Sequence, residues 1–464
     1  MKIPILSFLL SILVFTNATA NVRPNSLFTD HMVLQKGSAV PVWGTADEGE
    51  QVTVTFNGQK QTTKTVNGKW MVKLNAMSYV RKGISMIITG KNTLTINDVL
   101  VGEVWLCSGQ SNMARQLGPK QGQKLITDWE KERDEANYPL IRSYNVPLKY
   151  SKEPISDANA NWKVCTPETV VQFSAVGYFF VKDLYKKLNV PIGIVFSAYG
   201  GTPAEDWTSK EALETNPKLD FLVLNYDSIM KADGHPAAQI KNGLYNGMIA
   251  PLLPMAIKGV AWYQGESNHK RAKEYQIVLP NMIKNWRTDF NQGDFPFLVV
   301  QVAPFKNTKL EIRESQLFVS EKVKNTALIV TTDCGDPNDI HPAHKQPVGA
   351  RLALAARKLA YKENIEYSGP IYHSYQIKDN QIIIRFNHAT NGFKNDETIK
   401  GFTIAGEDQI FKEAIVKIEG NKIILFNDTV KKPIAARYGW ANVPDVNLYN
   451  AEGLPASPFR TDIQ

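Results

Sequence analysis

Cysteine is scarce in this chain: Cys107, Cys165 and Cys334 are the only three in 464 residues. That is too few for a disulfide framework, so burial of apolar side chains has to carry the fold. The composition allows it, with 43% hydrophobic and 21% charged residues, the proportions of an ordinary globular protein with a large core. Beyond the first twenty residues no apolar run approaches the length of a membrane span. Basic clusters are missing as well. The formal charge is +8, but Lys and Arg are scattered among Asp and Glu, and no stacking motif accompanies them, which excludes nucleic acid as a partner. Internal repeats and low-complexity linkers are absent. So is a set of His, Cys and Asp clusters spaced for a metal, and no cofactor is expected.

The N-terminus is unlike the rest. Lys2 precedes an apolar run over 3–15, and Ala18-Thr19-Ala20 forms a small-residue cleavage pattern. Residues 1–20 are therefore expected to be a signal peptide, placing the mature chain in the periplasm or outside the cell. Ala20 is not a cysteine, so a lipoprotein is not indicated, and no membrane contact is expected after cleavage.

At 464 residues more than one structural unit is expected. Over 22–100 short alternating segments at 40–43, 51–56, 60–65, 70–74 and 85–88 read as strands, with Asn57-Gly58 and Asn67-Gly68 as hairpin turns. A β-sandwich is expected there. Over 101–365 the pattern changes to continuous apolar strands (101–106, 191–197, 257–263, 295–302, 327–332) separated by amphipathic helices (174–188, 271–286, 310–323, 347–361). This predicts an α/β unit with a parallel sheet covered on both faces and a site at the carboxyl ends of its strands. Period-two segments return over 366–464, predicting a C-terminal β-rich region.

Three polar blocks follow apolar strands. In the first, Gly109-Gln110-Ser111-Asn112, a serine between small residues at a strand-to-helix turn suits a nucleophile, although Gly and Ser are also ordinary turn residues. The second, Gln264-Gly265-Glu266-Ser267-Asn268, offers carboxamides able to face an oxyanion and a carboxylate able to orient a histidine. In the third, Asp333 to Pro342, His341 stands among carboxylates, with His344 as a rival base by spacing. The aromatic residues beside the blocks, Tyr199, Trp207, Trp262 and Tyr263, suit sugar rings or core packing.

Gly109-Gln110-Ser111-Asn112, Gln264-Gly265-Glu266-Ser267-Asn268 and Asp339-Ile340-His341-Pro342 resemble the three blocks of the sialate O-acetylesterase family, in the SGNH/GDSL hydrolase superfamily of carbohydrate esterases. The likeness extends to the stretches at 98–107, 199–207, 437–442 and 453–462, nearly the whole mature chain. It implies an SGNH-type catalytic unit and a serine esterase that removes acetyl groups from sugars through an acetyl-enzyme. Ser111 matches the nucleophile and His341 the base. Gly200 or Gly201 falls where the superfamily supplies an oxyanion-hole N–H, and Gln264 and Asn268 where it supplies a side-chain donor. The acid departs from the pattern: the position three before the histidine is Asn338. That leaves Glu266, Asp339 or Asp336, and related esterases with a Q-G-E block favour Glu266. The implied substrates are acetylated sialates or acetylated plant polysaccharides, with Trp207 and Tyr263 as candidate sugar contacts. A non-catalytic sugar binder is the alternative of another class, but it has no need of the Ser111/His341 pair. Lipid esters are a third reading, weakened by the lack of an apolar lid segment. Nothing in the sequence assigns an oligomeric state.

Overall fold

The computed structural model describes residues 21–234, 241–394 and 397–462, and the expected signal peptide lies outside them. Two small sheets open the chain. One joins Arg23–Pro24, Val40–Thr45 and Lys69–Leu74; the other is built on Gln51–Phe56, Gln59–Lys64 and Val80–Thr89. Their alternating residues Val52, Val54 and Phe56, and Trp70, Val72 and Leu74, are buried. Asn57 and Gly58 at φ 48° and 75° turn the hairpin of Gln51–Phe56 and Gln59–Lys64 as their types predict. Asn67 and Gly68 at 53° and 70° instead make a tight turn closed by the Val66–Lys69 bridge, across which the chain passes from one sheet to the other.

The central sheet contains β1 (Thr93–Gly109), β2 (Tyr138–Asn145), β3 (Trp162–Cys165), β4 (Ile192–Ala198), β5 (Gly259–Tyr263), β6 (Phe297–Val300) and β7 (Thr326–Ile329). Their order is β3-β2-β4-β1-β5-β6-β7, all parallel except β3, which runs antiparallel to β2 at the edge. On one face lie α2 (Ala175–Leu188) and α5 (Gln346–Leu359), which bury Val176, Phe180, Leu352 and Ala356 against Trp105 and Cys107. On the other lie α3 (Ala272–Phe290) and α4 (Glu311–Lys322), which bury Met282, Trp286 and Ile312 against Leu106 and Trp262. A parallel sheet covered on both faces explains the unbroken apolar runs.

Strand β1 belongs to both units. Its first half pairs antiparallel with Val80–Thr89, and from Glu103 onward it pairs in parallel with β4 and β5. The change of pattern near residue 100 is therefore a change of partners along one continuous strand. Buried Glu103 ties the units together by accepting from Gln35 Nε2 at 3.1 Å and Tyr79 Oη at 2.8 Å.

The C-terminal residues form two four-stranded sheets around Ile382, Ile384, Ile404, Leu425 and Phe459. They dock on α4. Arg313, 0% exposed, donates to Ala441 O at 3.1 Å and Asn442 O at 2.8 Å, and Arg460 forks onto Glu314 at 2.8 and 3.0 Å.

Candidate active site

The three blocks meet at the carboxyl ends of β1, β5 and β7, with the 199–207 loop after β4 beside them. They are brought together where the backbones approach most closely. Gly109, at φ 131°, lies so near β5 that a Cβ there would stand 2.2 Å from Tyr263 O, so no larger residue fits. Gln110 then crosses between blocks. Its N–H donates to Tyr263 O at 2.9 Å, and its Oε1 accepts from Gly265 N–H and Ser267 N–H, both at 3.3 Å. Ser111, partly exposed, opens the single turn α1 (Ser111–Ala114). Gly200 backs onto it: a Cβ at Gly200 would sit 3.2 Å from Ser111 Cβ.

Asn112 ties the serine turn to the histidine loop. Fully buried, it donates from Nδ2 to Glu266 Oε1 at 2.6 Å and to Ile340 O at 3.0 Å. Its neighbour in the chain is Ser111, and that of Ile340 is His341. His341 is partly exposed. Its backbone N–H donates to Asp339 Oδ1 at 2.8 Å, and the same oxygen stands 3.7 Å from Nδ1, the carboxylate contact recorded for the ring. Asp336 pairs instead with Lys124 at 2.8 Å, and His344 faces solvent.

Burial holds the His341 imidazole below its ordinary range, helped by the nearby Lys345 and Arg115 charges and opposed by Asp339. These surroundings favour the uncharged ring, the form in which an imidazole can accept a proton. Glu266 is pushed the other way, up, by burial, against the Asn112 hydrogen bond and the Lys345 charge. Its Oε2 is buried and has no hydrogen-bond donor among the described residues.

The two expected carboxamide donors are bound up with the 199–207 loop. Gln264 Nε2 donates to Thr202 O at 3.1 Å and Asn268 Oδ1 at 2.7 Å, which uses both its hydrogens. Asn268 Nδ2 donates to Glu205 Oε2 at 2.9 Å, and its Oδ1 also accepts from Ala204 N–H at 3.0 Å. Gly201, at φ 72°, makes the turn that starts this loop.

The expectation that Trp207 and Tyr263 contact sugar is corrected. Both are 0% exposed. Trp207 packs edge-on against Trp262 and donates to Thr202 Oγ1 at 3.0 Å, whereas Tyr263 lies beneath the Lys345 ammonium. Their apolar neighbours in the sheet claim the rings; of the aromatic residues flagged beside the blocks, Tyr199 remains exposed. The residues that sequence reasoning passed over are Asn112 and Lys345. Asn112 was visible only as a motif letter, and nothing in the text marks a lone lysine four residues after a histidine as buried. The three thiols are all buried and unpaired, and burial raises Cys107 and Cys334 to about 12. No group of three or more His, Cys, Asp or Glu among the described residues is placed to hold a metal ion.

Residues 101–358 match the family model for carbohydrate esterase, sialic acid-specific acetylesterase. The sialate O-acetylesterase of Homo sapiens is 29% identical over 514 aligned positions, which cover 98% of this chain and 96% of that one. That of Rattus norvegicus is 31% identical over 411 positions, 75% of each chain. Among solved structures, a carbohydrate acetylesterase from Xanthomonas citri superposes with a TM-score of 0.86 at 36% identity, covering 96% of this chain and all of that one.

Proposed function

This chain belongs to the sialic acid-specific acetylesterase family of carbohydrate esterases, and on that premise we propose that it removes O-acetyl groups from sugars through an acetyl-enzyme on Ser111. Ser111 Oγ attacks the acetyl carbonyl while His341 takes its proton. The same imidazolium then protonates the departing sugar oxygen. Water, deprotonated by His341 in turn, attacks the acetyl-serine and releases acetate. The observation that carries this reading is the Asn112 amide, which spans Glu266 Oε1 and Ile340 O at 2.6 and 3.0 Å and so sets the nucleophile's turn against the base's loop.

Gly200, pressed against Ser111, is the proposed backbone donor to the oxyanion, and the second Nδ2 hydrogen of Asn268 the side-chain one. Gln264 then serves to hold Asn268, and Gly201 to turn the loop. The acid is assigned to Glu266. Its buried Oε2 has no donor among the described residues and lies one amide away from the His341 loop. Asp339 Oδ1 is engaged by the His341 backbone N–H, and 3.7 Å to Nδ1 exceeds a hydrogen bond. Its role is to shape the loop.

The mammalian relatives are named for sialate, and the Xanthomonas citri enzyme for carbohydrate. Acetylated sialate is the substrate proposed here. Acetate release from 9-O-acetyl sialate and from acetylated xylo-oligosaccharides, at matched concentrations, tests this, and preference for the xylan fragments would move the assignment to plant polysaccharide. Export is proposed on Lys2, the apolar run over 3–15 and Ala18-Thr19-Ala20. Sequencing the mature protein should find Asn21 at or near its start, and a full-length cytoplasmic chain would contradict it.

A further inference from the structure

One buried cation at the site has no part in the chemistry above. Lys345, just before α5, is 1% exposed. Its Nζ donates to Asn112 Oδ1 at 2.5 Å and stands 5.3 Å from the centre of the Tyr263 ring. Asn112 hands the interaction on, Nδ2 donating to Glu266 Oε1 and Ile340 O. An ammonium only donates and a carboxylate only accepts, so one orientation of the amide satisfies both ends. Turned over, Nδ2 would confront Nζ, while Oδ1 would confront both the carboxylate and the Ile340 carbonyl. Three attractive contacts would become three repulsive ones.

Resting on the esterase reading, we propose that Lys345 is a positioning residue: together with Glu266 it locks the Asn112 amide and thereby holds the His341 loop in register with Ser111. The locked amide is the single side-chain bridge described between the turn that carries the nucleophile and the loop that carries the base. Misplacing either by about 1 Å can cost on the order of 10² in rate. The ammonium has a second effect, on charge. It faces the Glu266 and Asp339 carboxylates and the Cys334 side chain, which favour its protonated form, and the Arg115 guanidinium, which disfavours it. His341 faces Lys345 and Arg115, which disfavour an imidazolium, and Asp339, which favours one. Burial outweighs these charges at Lys345 and lowers it to about 7.

The test is Lys345→Met, which keeps the side chain's bulk and removes its charge and donors, assayed beside Ser111→Ala. The expected result is a fall in kcat of about 10- to 100-fold with KM within about two-fold, because alignment and not sugar binding is lost. The acid limb of kcat/KM should also move to higher pH, since the imidazolium no longer faces an ammonium. An inactive Ser111→Ala with a Lys345→Met variant of unchanged kcat and unmoved limb overturns the lysine's role alone. An active Ser111→Ala overturns the esterase reading beneath it. If Lys345→Met does not fold, the wild-type enzyme decides by NMR titration of the Lys345 ε-methylene. The Asn112 side-chain amide signals should move with the same midpoint, because Oδ1 accepts from Nζ, and amide signals that ignore the lysine titration overturn the lock.

Discussion

Two buried polar networks meet on the 264–268 segment, and they are completed to different degrees. On the flank, Glu205, 0% exposed, accepts from Arg271 Nη2 at 2.5 Å and Asn268 Nδ2 at 2.9 Å, and Arg271 also holds Asp233 at 2.7 Å and Glu274 at 3.0 Å. At the centre, Glu266 has a single side-chain donor, Asn112, and Lys345 reaches an amide instead of a carboxylate. A buried charge with every partner in place is a strut. A buried charge left short of partners has a shifted affinity for protons, which is the condition for acid–base work. The Glu205 pair thus fixes the loop that carries Gly200, and the centre is where we propose that the chemistry takes place.

The largest effect should come from breaking the centre at its two reacting groups. Ser111→Ala and His341→Ala should each lower kcat by about 10⁴ or more while thermal unfolding stays near wild type, and the double variant should be little worse than either. His344→Ala should stay close to wild type. A severe His344 variant beside a mild His341 one would place the base three residues later.

Next come the carboxylates, where the comparison is sharpest. Glu266→Gln is nearly isosteric and should cost up to about 10⁴ in kcat with little change in stability. Asp339→Asn keeps an acceptor for the His341 N–H and should cost on the order of tenfold. Glu205→Gln should do the reverse of Glu266→Gln. Removing one partner of a buried pair should lower stability by about 3 kcal/mol, read from denaturant unfolding, and leave kcat within roughly tenfold. If the Glu205 and Glu266 variants showed the same balance of kcat loss and unfolding, the division into strut and reactive centre would fail.

The smallest effect is a displacement on the pH axis. His341 must be uncharged to accept the serine proton, and its affinity for protons is lowered by burial and by Lys345. The acid limb of kcat/KM for the wild-type enzyme should therefore fall below about 6.5, the ordinary imidazole value. A limb above that value would mean that Asp339 outweighs burial at the ring.

Much of this architecture was legible in the chain. Strands buried on both faces are written as unbroken apolar runs, and β1, β4, β5, β6 and β7 all stand where such runs occur. The turns at Asn57-Gly58 and Asn67-Gly68 declare themselves because few residue pairs accept two positive φ values, but only the first joins paired strands; the second carries the chain from one sheet to the other. The edge strands β2 and β3 were not legible. Arg142 and Ser143 interrupt the apolar pattern of β2, and the arginine is there to reach Asp98 at 2.7 Å across the sheet. The boundary near residue 100 was read as the edge of a unit, because sequence reports a change of neighbours and not the continuity of a strand. At the site, Ser111 and His341 stood out as candidates by residue type and place in the chain, whereas Glu266 was preferred over Asp339 and Asp336 only through the family resemblance. Asn112 and Lys345 could not, since their importance lies in one amide's orientation between two charges that are far apart in the chain. Trp207 and Tyr263 went the other way: aromatic type suggested sugar, and packing against Trp262 and beneath Lys345 took both rings into the interior.

The central claim, that the incompletely paired network surrounds a serine nucleophile, is tested most directly by a serine-reactive phosphonate followed by peptide mass spectrometry. The expected result is stoichiometric modification at Ser111, loss of acetate release in proportion to labelling, and no adduct in Ser111→Ala. An adduct at another residue, or an enzyme that goes on releasing acetate with Ser111 fully modified, would contradict the account.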